Sequence, residues 1–152
     1  MTLTLTSPAF AAGQPIPREY SCQGQDQSPP LTWDEPPPGT AGWALIVDDP
    51  DAPGGTWVHW VCYNLPAATR SLPAAASTAA TWPDGTRNGT NSWGRSGYGG
   101  PCPPSGTHHY MFKLYALDAM LALPAGARKE QLLAAMQGHI LAQGQLMGTY
   151  HK

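Results

Sequence analysis

Charge is scarce in this chain. Charged residues make up 12% of its 152 positions, against about 25% in an average globular protein. Lys and Arg number 8 and Asp and Glu 10, a formal net charge of −2. So few cations cannot build the basic stripe that a nucleic-acid binder needs to displace counterions, so no nucleic acid is expected as a partner. Leu, Ile, Val and Phe are thin as well, 22 residues together. No stretch approaches the ~20 apolar residues that span a bilayer, and MTLTLTSPAF has no basic segment leading into an apolar run. No integral membrane segment is expected. The three cysteines, Cys22, Cys62 and Cys102, are odd in number and lack CxxC spacing. They read as packing residues in a reducing compartment, which places the chain in the cytoplasm.

Aromatics fill the gap that aliphatics leave. Six Trp and six Tyr can each bury roughly 150–250 Å², so the core is expected to be aromatic. Gly and Pro, 17 each and spread throughout, favour short elements joined by tight turns. The chain therefore reads as one mainly β domain over 1–152. Leu31 to Asp34 reads as a short edge segment between proline knots. Trp43 to Asp48 reads as a doubly buried strand. Residues 57–65 and 108–118 read as strands too. Their two-residue period groups Trp57, His59, Val61 and Tyr63 on one face, and His108, Tyr110, Phe112, Leu114 and Ala116 on another. Leu132, Leu133, Met136, Ile140 and Leu141 recur at helical steps, which predicts an amphipathic helix over roughly 129–143, weakened by Gly138 and ended by Gly144.

Two segments carry the candidate chemistry, DDPDAPGGTWVHW at 48–60 and GYGGPCPPSGTHHY at 97–110. Each is a loop stiffened by Gly and Pro that leads into a strand opening with histidine. Pro50 and Pro53 hold Asp49 and Asp51 on a rigid lip. An Asp beside a Pro also serves as an ordinary turn device that satisfies loop amides. Gly97, Gly99, Gly100 and Gly106 allow successive N–H groups to converge on an anion. His108 and Tyr110 project from one strand face, while His109 points away and reads as structural. His139 and His151 read as packed or solvated side chains.

The strings ALIVDDPDAPGGTWVHWVCYNLP at 44–66 and GTNSWGRSGYGGPCPPSGTHHYMFKLYALD at 89–118 resemble the two signature regions of the phosphatidylethanolamine-binding protein family, in its bacterial and archaeal Raf-kinase-inhibitor-like branch. SPPLTW at 28–33 and GHILAQGQLMGTY at 138–150 match as well. The resemblance implies an antiparallel Greek-key β-sandwich with a small anion pocket at one end. It carries the pocket lining onto Asp49, Asp51, Pro53, His59, Gly100, Pro101, His108 and Tyr110, and sets the ring of Trp33 against the pocket. Two departures stand out. His109 replaces an arginine frequent in relatives, which removes a structural ion pair. Gln137 and Gln145 stand where acids are frequent, which weakens helix-mediated contacts, a dimer contact included.

Asp49, His59 and His108 beside glycine-rich backbone suit a phosphate ester that also bears a cation. A carboxylate near an anion needs a protonated histidine or a ligand ammonium to offset it. The expectation is a non-enzymatic binding module, without a cofactor, for phosphoethanolamine-like head groups or phosphorylated residues. The resemblance further implies a kinase or protease as protein partner and a homodimer as assembly. The rival is a metal-dependent enzyme with Asp49, His59 and His108 as a two-His, one-carboxylate set, though no compact metal motif accompanies it. A serine hydrolase is disfavoured, because Ser96 in GRSGYG has Tyr98 where a nucleophile elbow needs glycine.

Overall fold

A computed structural model describes residues 2–152. Alternating and continuous apolar runs become strands in the order β1 (Leu5–Thr6), β2 (Leu31–Trp33), β3 (Gly42–Asp49), β4 (Trp57–Pro66), β5 (Ser71–Leu72), β6 (Arg87–Asn88), β7 (Thr107–Leu117) and β8 (Ile140–His151). One helix, α1 (Lys129–Met136), lies between β7 and β8, and a short 3₁₀ turn spans Arg18–Tyr20. The strands form two antiparallel sheets, ordered β1-β2-β5 and β6-β4-β3-β7-β8.

β3 is buried at every residue because it is central: β4 and β7 take its hydrogen bonds, and both of its faces are covered. Trp43, Leu45 and Val47 face an aromatic core shared with the smaller sheet, where they join Trp33, Trp60, Tyr110 and Phe112. Ala44 and Ile46 face a second core with Val61, Tyr63, Leu132 and Met136, which seats α1. Asp48, 1% exposed, receives hydrogen bonds from Lys113 Nζ (3.2 Å) and Lys129 Nζ (2.7 Å) and so fastens the start of α1 to the sheet.

Three readings of the sequence are corrected here. Simple alternation along β4 fails because Val47 pairs with Trp60 while Asp48 pairs with Val58, which leaves His59 as the extra residue of a bulge. Val58 therefore packs with Val61 and Tyr63 under α1, and Trp60 and Cys62 join the aromatic core. The helix is shorter than 129–143. It ends at Met136, residues 137–139 form a turn in which Gly138 takes a φ of +83°, and β8 begins at Ile140. The four-residue spacing Leu132, Met136, Ile140 satisfies both a 3.6 and a 2.0 period, so periodicity alone cannot separate the two. Gly144 is no cap: a Cβ there would meet the Leu3 carbonyl oxygen at 2.3 Å, where the N-terminal segment crosses β8. Finally, Cys22 and Cys102 form a disulfide across 80 residues, and only Cys62 is a buried packing thiol. Tyr98 and Asp26 bring the two cysteine segments together. The Tyr98 hydroxyl donates to Tyr20 O, the Gly100 N–H to Asp26 Oδ1 and the Cys22 N–H to Pro101 O. That juxtaposition is tertiary and leaves no trace in cysteine spacing.

Candidate functional site

β3 ends where β4 and β7 begin, since both pair antiparallel to it. Three strand ends thus deliver Asp49, His59, His108 and Tyr110 to one place. They wall a cavity of about 280 Å³, together with Ala52, Pro53, Trp57, Trp93, Cys102, Pro103 and Pro104.

Asp49, 3% exposed, accepts hydrogen bonds at both oxygens: Oδ1 from the Asp51 N–H at 2.8 Å and Oδ2 from His108 Nδ1 at 2.7 Å. It is both a turn device and a hydrogen-bond partner of His108. Because the carboxylate accepts, His108 Nδ1 carries a hydrogen and Nε2 is left for the cavity. His59 Nδ1 lies 2.7 Å from Gly99 O. A carbonyl can only accept, so Nδ1 again holds the hydrogen and Nε2 is free. Burial pushes the His59 pKa below its usual value, with the Gly99 bond and the charge of Asp49 opposing that shift. The His59 ring stands edge-on to Trp93 (5.0 Å) and Tyr110 (5.2 Å), and His108 stacks on Tyr110 at 6.5 Å. Burial, then the charges of Asp49 and Asp51, raise the Tyr110 phenol well above its ordinary pKa. The Tyr110 hydroxyl and the Trp57 indole N–H are buried without a hydrogen-bond partner.

The model of the phosphatidylethanolamine-binding protein family matches residues 6–151. The chain belongs to that family. A UPF0098 protein from Methanothermobacter thermautotrophicus is 47% identical over 150 residues, covering 99% of each chain. A Mycobacterium tuberculosis relative named lipoprotein LppC is 48% identical over 151 residues, 97% of this chain and 72% of its own length. The crystal structure of E. coli YbcL, titled as a member of the mammalian PEBP family, superposes with a TM-score of 0.91 at 31% identity, covering 100% and 99% of the two chains.

In this family member Asp49, Pro53, His59, His108 and Tyr110 meet at the cavity, and four other residues named from the sequence do not. Asp51 turns away. Its Oδ2 accepts both the backbone N–H and Nδ1–H of His109, at 2.8 and 2.7 Å, and these bonds hold its carboxyl below the usual range. His109 thus hydrogen-bonds Asp51 at the position where arginine is frequent in relatives. Gly100 gives its N–H to Asp26 Oδ1 at 2.7 Å, and a Cβ there would lie 2.2 Å from Tyr20 O, so its absent side chain serves packing. The Gly99 N–H is bound to His59 O. Of the expected nest of free amides, those of Gly97, Gly99 and Gly100 are therefore closed. Pro101 is buried, with its carbonyl bound by Cys22 N–H. Trp33 lies in the aromatic core, 5.7 Å from Trp43, with its indole N–H on Thr69 O.

Sequence reasoning missed Ala52, Trp57, Trp93, Cys102, Pro103 and Pro104. Trp57 had a signal, two residues before His59 on the same strand; Trp93 had none, because only the fold of loop 89–98 brings it to His59. Among the described residues no group of three or more His, Cys, Asp or Glu side chains is placed to hold a metal ion. Asp49 is already engaged by His108 and the Asp51 amide, so the residues proposed for a two-His, one-Asp centre do not assemble as one. No helix among the described residues is long and apolar enough to cross a membrane.

Proposed function

We propose that this family member is a small binding protein whose cavity seats a phosphate ester, phosphoethanolamine-like or a phosphorylated side chain, without turning it over. One observation carries the reading. Two buried donors, the Tyr110 hydroxyl and the Trp57 indole N–H, lack acceptors, and both belong to side chains that wall the cavity of His59 and His108. An unmatched buried donor costs about 1–3 kcal/mol, which an oxygen-rich ligand relieves. Side chains therefore replace the backbone amides as the source of hydrogen bonds. His108, held by Asp49, supplies a positive charge when protonated, and Asp49 is offset by that pairing, so it does not repel the anion. Trp57 and Trp93 offer aromatic faces to a ligand ammonium, a contact of about 0.5–2 kcal/mol.

The test is a titration of phosphoethanolamine and of inorganic phosphate followed by Trp fluorescence, in the wild type and in His108→Ala. Saturable binding weakened at least tenfold in the variant is expected. A wild type that shows no saturable response overturns the reading. Inhibition of a kinase or protease, which the family resemblance suggests, would act through this seat or its rim and is tested on enzyme panels. The expected homodimer is measured by light scattering. For the compartment we infer an oxidising one in place of the cytoplasm. A disulfide persists where thiols are not kept reduced, and the mycobacterial relative carries a lipoprotein name.

A further inference from the structure

Asp49 is the one formal charge lining the cavity, and no Lys or Arg is among the lining residues. A phosphomonoester dianion seated there meets at most one compensating cation, His108, which already faces Asp49. One cation, Arg95, stands against the ring of a lining residue, Trp93. Its guanidinium carbon sits 5.3 Å from the centre of the Trp93 ring, and that ring is 5.0 Å from the His59 ring. The guanidinium is thus within two ring spacings of the His59 ring.

The loop that carries Trp93 and Arg95 is built to hold them. Buried Asn91 accepts both the Trp93 and the Arg95 backbone N–H at Oδ1, at 3.0 and 3.1 Å, and donates from Nδ2 to Gly97 O at 3.0 Å. Gly94 and Gly97, with φ of +78° and +88°, close the turn. Trp93 is wedged over Gly99, where a Cβ would clash with its ring at 2.3 Å. Among the described residues the Arg95 guanidinium has no carboxylate or carbonyl partner, whereas Arg70, Lys113 and Lys129 all pair with acids. It is an exposed, unpaired fork of donors resting on a cavity wall.

We propose that Arg95 binds a second anionic group of the ligand, so that the cavity selects a phosphorylated amino acid, a small phosphomonoester bearing a carboxylate, over one without it. The proposal rests on the phosphate-seat reading above and adds the class of ligand to it. A planar guanidinium matches a carboxylate in a bidentate pair, while the ring beneath limits the side chain's freedom.

O-phosphoserine and phosphoethanolamine differ only by a carboxylate, which makes them the probes. Their affinities are measured by calorimetry on wild type, Arg95→Gln and Arg95→Lys. The expected result is that wild type prefers O-phosphoserine about fivefold, the upper end for a solvent-exposed ion pair. Arg95→Gln should bring the ratio to about one without weakening phosphoethanolamine, and Arg95→Lys should retain part of the preference. Equal affinities in the wild type, or a preference that survives Arg95→Gln, overturn the role of Arg95 and leave the phosphate seat standing. A wild type that binds neither probe overturns the seat and this proposal with it.

Discussion

His59 shows how much a single residue's setting decides. Its ring is 3% exposed and its pKa is lowered by burial, so it is neutral near pH 7 in the folded chain. The unfolded chain, with an ordinary histidine pKa of about 6.5, takes up a proton first as pH falls. More protons bind to the unfolded state, so stability drops as pH falls through about 6.5 and levels off only below the folded value. Urea midpoints at pH 7.5 and 5.5 should therefore fall in the wild type. The fall should be smaller in His59→Asn, whose amide can still donate to Gly99 O. Gly100 makes a different residue-scale prediction. Its alanine variant would press a methyl onto the Tyr20 carbonyl, and overpacking of that kind costs about 1–3 kcal/mol. Urea denaturation should register that loss. An unchanged midpoint would mean that the 20–22 segment yields freely.

At the scale of elements, the attachment of α1 depends on one carboxylate. Asp48 lies at the end of β3 and takes hydrogen bonds from Lys113 on β7 and Lys129 on α1. The helix buries only Leu132 and Met136, so this link matters to its docking. Asp48→Asn leaves two ammonium groups without their counter-charge. Breaking a buried pair from one side costs up to 3–5 kcal/mol, and the partial exposure of both lysines reduces this to about 2 kcal/mol. Hydrogen exchange of the α1 amides should accelerate more than that of β3. Uniform acceleration across both elements would assign Asp48 to global stability and not to helix docking. The adjacent acid, Asp49, faces the opposite side and serves the cavity. One strand end thus provides a structural and a candidate functional carboxylate in consecutive positions, as the two-residue alternation of a strand requires.

At the scale of the molecule, the Cys22–Cys102 disulfide closes a loop of 80 residues and ends at the cavity wall, where Cys102 lies beside Pro103 and Pro104. Constraining a loop of that length stabilises by about 4.5 kcal/mol in the chain-entropy account. A Cys22→Ser, Cys102→Ser double variant should melt at a markedly lower temperature. The Tyr98, Gly100 and Cys22 hydrogen bonds still join the two segments, so the variant should remain folded, with its Trp fluorescence titration weakened through a looser 102–104 wall. An unchanged melting temperature would show that these hydrogen bonds alone hold the junction.

Much of this was legible in the chain. The apolar run at 43–48 between Gly42 and Pro50 announced β3, because a central strand of a covered sheet must be apolar on both faces. The stiff loops ahead of His59 and His108 marked the two strand starts that meet at the cavity. Local sequence settles such features, since strand period, turn residues and aromatic content act over a few neighbouring positions. It could not settle features that depend on what a distant segment brings. The bulge that turns His59 exists because β3 and β4 lose register between Val47 and Asp48. The amide of Gly100 is closed by Asp26, Trp33 goes to the core because the second sheet folds over Trp43, and Cys22 finds Cys102 only after both segments are placed. Composition, the positions of β2, β3, β4 and β7, and the family were determined by the sequence itself. Which glycine amides stay free, which aromatics wall the cavity and which cysteines pair were decided by tertiary structure, because each needs a partner tens of residues away.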